Sequence, residues 1–193
     1  MIDVTRILRE KQCVLSVIGP HAGESMSQIY ERKIQDIAKV GKTFWITSCG
    51  KFIFEKINEL CTAKDLYVIF IAPSSPNGAR PATMETAASG YTINGEFFPF
   101  PVNMSPVTGN ITRKTAALVF DELQLLDENN APELDLWNYL DAVTLKPIRF
   151  ALGGSTKPCI LNTSSEKSGM KSRYRKISAI GHFAAPFCVR PVK

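Results

Sequence analysis

His21 and His182 are the only imidazoles in the chain, and each stands just after a glycine at the end of an apolar run, VIGPHAG and AIGHFAA. Two such groups on neighbouring strands can share acid and base work in hydrolysis or phosphoryl transfer, and Glu24, three residues beyond His21, adds a carboxylate. The stretch GPHAGES around them has a second capacity. A turn from a strand into a helix gathers backbone amides at the helix start and so attracts phosphate. Gly19 and Gly23 allow close backbone approach there, and Ser25 supplies a hydroxyl. GPHAGES matches neither GxGxxG nor GxxxxGK[ST], so the spacing names no nucleotide fold. HAGE is one residue longer than the HxE of zinc deaminases and no PCxxC follows, which excludes that chemistry. The plainer reading makes Ser25 a helix cap, the glycines a turn and Glu24 a partner of the helix dipole.

Charge provides the second candidate. From Ala142 to Lys193 there are ten Lys or Arg and one acid, a net +9, against thirteen bases and seventeen acids before it, a net −4. Such a split states where an anionic partner is drawn. Its densest part reads KSGMKSRYRK, with Lys171, Arg173, Arg175 and Lys176 able to hold a phosphate backbone and Tyr174 able to stack on a base. Alternation on a strand puts Arg173 and Arg175 on one face, Tyr174 and Lys176 on the other. A basic edge strand guarded against aggregation has the same composition. Just upstream, Asp121, Glu122, Asp127, Glu128, Glu133, Asp135 and Asp141 gather with no base between Thr115 and Leu145. Metal-dependent nucleases also group carboxylates. Turn formers and a helix start among these residues favour a solvated acidic face, one that can neutralise the basic end within the same molecule.

The elements that must position these groups begin as strand and helix in alternation. CVLSVIG is a continuous apolar run of strand length. Ser25 as cap with Gln28 three residues on, Met26, Tyr30, Ile34 and Ile37 at helical spacing, and Gly41 after the last turn predict an amphipathic helix. KTFWITS reads as a strand, FIFEKINELC as a helix and DLYVIFIAP as a third strand, so the first 73 residues read βαβαβ and favour parallel pairing. FWIT reads as core rather than as a ligand cage. Residues 74–115 hold most of the turn formers, with a hairpin expected across YTINGEFF at Asn94-Gly95. Beyond them, ALVFDELQLL reads as strand, Pro132 opens a short helix to Leu140 with Trp137 on its inward face, and PIRFALGG and RKISAIGHFAAPFCV read as strands. The expected fold is one α/β domain over residues 1–193, bordering on α+β, with a central mixed sheet, a βαβαβ first half and a β-rich second half.

Size and composition agree with that. A chain of 193 residues with 45% apolar and 21% charged side chains can bury about 70% of its unfolded surface without staples. Its five cysteines, Cys13, Cys49, Cys61, Cys159 and Cys188, show no CxxC spacing. An odd count without a secretory h-region points to free thiols and a cytoplasmic location, and no apolar run is long enough for a membrane span. Cys13, Cys61 and Cys188 lie in apolar stretches as packing, leaving Cys49 in TSCGK as the one thiol placed for reaction.

The order of FWIT strand, short helix, apolar strand, many short strands and a basic end resembles PUA-like or EVE-type modified-base-binding domains over about residues 43–190. That resemblance is one of element order, without a motif, and implies a fold more than a site. The sequence therefore predicts binding of a phosphate-bearing ligand, nucleic acid or nucleotide, through Gly19, Gly23, Ser25, Lys171, Arg173, Tyr174, Arg175 and Lys176. Its rival is an enzyme acting on a phosphorylated small molecule with His21, Glu24 and His182. A third reading makes the aromatic segment 74–106 a protein-interaction surface. No metal site is expected, and no cofactor is named.

Overall fold

In the computed structural model the described residues are 2–10, 13–18, 25–71, 90–93, 96–99, 115–127, 129, 131–136, 138–148, 159–163 and 174–189. They build a mixed sheet. Strand β1 (Cys13–Val17) runs parallel to β3 (Tyr67–Ile71), Cys13 opposite Tyr67 and Val17 opposite Ile71. The long strand β10 (Tyr174–Val189) lies antiparallel between β3 and β6 (Thr115–Leu125), and β2 (Thr43–Ser48) closes that side against β6. On the other side β9 (Cys159–Thr163) and β8 (Tyr139–Asp141) follow β1, giving the order β2-β6-β10-β3-β1-β9-β8. A separate hairpin joins β4 (Gly90–Ile93) to β5 (Glu96–Pro99), as the intervening Asn-Gly predicts.

The first half keeps the expected order but not the expected pairing. Among the described strands only β1 and β3 are parallel neighbours; β2 sits beyond β10 and β6, antiparallel to β6 and opposite in direction to β1 and β3. β10 and β6 bring apolar residues on both faces into the gap, among them Leu118, Phe120, Ile177 and Ile180, so the second half completes the sheet from its middle.

Two helices cover one face. In α2 (Met26–Val40), Ser25 accepts from the Gln28 amide while the Gln28 side chain accepts from the Ser25 amide, and Gly41 ends the helix at φ 79°. Helix α3 (Lys51–Ala63) starts at Gly50 without a side-chain cap. Beneath them pack Ile29, Tyr30, Trp45, Ile57, Val68, Phe70 and Phe120, with Phe70 edge-on to Trp45 at 6.0 Å and to Phe120 at 5.8 Å. FWIT is thus core, as expected. Lys33 is buried with it, donating from Nζ to the Phe44 carbonyl and lying 4.9 Å over the Phe44 ring.

The opposite face is aliphatic. Cys13, Leu15, Ile69, Ile71, Ile177 and Ile180 meet Val4 and Ile7 of α1 (Val4–Glu10), a short helix whose mixed charges hid its two inward residues in the sequence. Leu134 and Leu136 join them. This is where the helix expected from Pro132 fails. Residues Glu133–Asp135 form β7, and Tyr139–Asp141 form β8. The Pro132 carbonyl accepts from the Ile177 amide, so the open edge of β10 satisfies this backbone in extended form and overrides helix-start chemistry. Trp137 lies outside the described residues, as does most of the expected strand PIRFALGG.

Candidate ligand groove at His182

His182 owes its setting to a bulge. Along β10, His182 stands opposite Glu122 and Phe183 opposite Phe120, so Asp121 is an extra residue in β6 without a ladder partner. Bulges of this kind re-aim a side chain. Asp121 Oδ1 lies 2.9 Å from His182 Nδ1, while Asp65 Oδ1 lies 3.9 Å from Nε2. Tyr67 holds the imidazole from the side, its ring centroid 5.2 Å away at a 55° tilt. A carboxylate only accepts, so the proton of a neutral His182 sits on Nδ1 and the lone pair on Nε2. An imidazole fixed in one tautomer is the working form of a base or a hydrogen-bond acceptor.

Neighbouring Gly181 is required by close approach, since a Cβ there would stand 3.1 Å from both Phe120 and Val68 side chains and 3.2 Å from the Glu122 carbonyl. After Phe183 the register of β10 shifts until Cys188 pairs with Leu118. Phe187 takes a left-handed φ of 64° in this excursion. Asn58 of α3 then holds the strand in both directions, donating to the Cys188 carbonyl at 3.0 Å and accepting from its amide at 3.1 Å. Lys42 donates to the Ala185 carbonyl at 2.6 Å.

The excursion opens a groove of about 280 Å³, lined by Leu66, Phe183, Ala184 and Phe187 with Lys42, Lys64, Asp65, Asp121, His182 and Cys61 around them. Burial pushes the Cys61 thiol up to about 12, so it remains protonated at neutral pH and is no nucleophile for the adjacent imidazole. Cys49, the thiol read from the sequence as the one that could react, is fully buried, with Sγ against the Gly50 carbonyl.

No family model, curated protein or solved structure matches this chain. The resemblance to PUA-like and EVE-type domains therefore rests on element order alone.

Of the residues expected to carry function, Gly19, His21, Gly23, Glu24, Lys171 and Arg173 lie outside the described residues. Ser25 is a cap engaged with Gln28. The chain leaves β1 after Val17, the Ile18 amide bonding the Ile71 carbonyl, whereas His182 stands opposite Tyr67 at the other end of β3. Four residues of strand separate those levels, about 13 Å.

Tyr174, Arg175 and Lys176 begin β10, opposite Asp135, Leu134 and Glu133 of β7. The acidic run thus lies alongside the basic strand, Lys176 facing Glu133 in register. The run is also not one solvated face. Asp135 and Asp141 are buried, and Asp141 Oδ2 accepts from the Thr144 amide at 3.1 Å and its hydroxyl at 2.6 Å to shape a turn. Among the described residues no group of three or more His, Cys, Asp or Glu is placed to hold a metal ion, and no helix is long and apolar enough to cross a membrane.

Proposed function

We propose that this protein binds a phosphate-bearing ligand, nucleic acid or nucleotide, through the first strand-to-helix loop and the basic C-terminal segment. One observation carries the reading: the net +9 after residue 141 against −4 before it. The described part of that segment supports it, because Tyr174 is 54% exposed beside Arg175 and Lys176 and offers a ring for a base next to cations for phosphate. Fluorescence polarisation with labelled single strands and duplexes tests it. Binding should weaken linearly in log Kd with log salt, by about 0.7 to 0.9 per phosphate contact. Absence of salt-dependent binding between about 50 and 200 mM salt would sink the reading.

A second reading, hydrolysis or transfer on a phosphorylated small molecule, is favoured by the 2.9 Å contact of Asp121 with His182, which leaves Nε2 as a base. Turnover of phosphomonoesters that falls at least about a hundredfold in His182→Ala would support it. Turnover unaffected by that change would remove it.

A further inference from the structure

The groove beside His182 stands apart from the basic entry of β10, and its chemistry is different. Its floor is apolar, from Leu66, Phe183, Ala184 and Phe187. Its rim carries two ammonium groups, Lys42 and Lys64, against two carboxylates, Asp65 and Asp121, so with a neutral imidazole the charges cancel. A site for a simple anion would not be built that way. A flat body with hydrogen-bond donors and acceptors on its edge meets each part of this surface, and about 280 Å³ sits at the small end of ligand sites.

We propose that the groove receives the heterocyclic base of a nucleotide, with His182 Nε2 accepting an N–H from the base edge and Lys42 and Lys64 supplying positive charge for the phosphate. This rests on the nucleotide reading above and names the site of base recognition. Asp121 is a positioning residue, since its contact with Nδ1 keeps Nε2 an acceptor. Protonation converts Nε2 to a donor that faces Asp65, 3.9 Å away, and the hydrogen bond to the base is lost. The charged and titratable groups facing the imidazole or lining its groove are Asp65, Tyr67, Asp121, Glu122 opposite it in the ladder, Lys42, Lys64 and the Cys61 thiol, and Asp65 is the carboxylate recorded near Nε2.

The test follows the ring nitrogens of His182 by NMR, assigned by difference with His182→Gln, while adenosine, guanosine, cytidine, uridine, their 5′-monophosphates or inorganic phosphate are added. At least one nucleoside should move the Nε2 signal, its monophosphate should bind more tightly, and acidification that protonates the imidazole should weaken binding about tenfold, the worth of one hydrogen bond. Asp121→Asn should weaken nucleoside binding by a similar factor with the melting temperature little changed. If that variant does not fold, His182→Gln should show the same loss. Nucleosides that leave His182 unmoved at millimolar concentration, or inorganic phosphate that moves it as strongly as the monophosphates, would overturn the proposal. Salt-dependent oligonucleotide binding with His182 unmoved would overturn the base site and leave phosphate binding standing; the converse result would support the groove and remove the basic segment.

Discussion

The start of β10 and its middle at His182 place charge in opposite ways. At the entry, Arg175 and Lys176 form part of a visible run of bases, yet the strand opposite them is the acidic β7. Midway along the strand one imidazole, inconspicuous in composition, sits between two carboxylates above an apolar groove. Net charge counts groups, whereas the field depends on the register that pairs them. A run of bases beside acids is a weaker attractor than its count implies, and a single histidine on a bulge is a sharper instrument than its count implies.

The largest expected effect joins the two regions. Gly181→Val pushes side-chain atoms against Phe120, Val68 and the Glu122 carbonyl and should cost about 3 kcal/mol, read as a drop in denaturation midpoint. Groove signals and entry-end signals that broaden together would show one rigid strand; a loss confined to the groove would separate the two.

High pH sharpens the same contrast. Cys61 beside the groove, with its thiol at about 12, and Tyr30 near the entry, its phenol raised by burial despite the Ser178 contact, are both held protonated in the folded state. The unfolded chain releases those protons first, so above about pH 9 it binds fewer than the native state and stability falls as pH rises, by about 1 kcal/mol per unit for each group. Urea titrations should show that loss beginning near pH 9, where the buried Cys13 thiol, also raised by burial, adds to it; Cys61→Ala should lessen the slope without moving the onset, and Tyr30→Phe should lessen it further from about pH 10.

At neutral pH, Tyr30→Phe tests the entry end alone. The Ser178 hydroxyl donates to the Phe70 carbonyl at 3.1 Å, so Tyr30 is the donor in their 2.7 Å contact. Its loss should cost about 1 kcal/mol in chemical denaturation. The smallest expected effect is Lys176→Glu, which sets like charges opposite at Glu133 and should cost about 0.5 kcal/mol. Adding Glu133→Lys should restore it; no restoration would mean that the entry end is not electrostatically balanced by β7.

What could be read from the sequence was local. Ser25, Gln28 and Gly41 bound α2 as their chemistry dictates, and the hairpin expected across YTINGEFF is the pair β4 and β5. The apolar runs of β1, β3, β6 and β10 are strands as expected, in a mixed sheet. What could not be read depended on distant partners. Pro132 with its acids has the chemistry of a helix start, yet the Ile177 amide draws it into the sheet. Asp121 and His182 meet across 61 residues of sequence because β6 carries one residue too many for its ladder, and no local pattern announces a bulge.

The order of strands in space has a consequence for how the chain comes together. β10 is the last described strand to leave the ribosome, yet it lies between β3 and β6. Until residues 174–189 emerge, both of those apolar strands present an open edge, and the parallel pair β1–β3 has no bridge to β2–β6. Closure of the sheet is a late, long-range event, slow by its loop lengths and exposed to edge-to-edge association while it waits. A nascent chain stalled before Tyr174 should accordingly depend on chaperones, and the released chain should not.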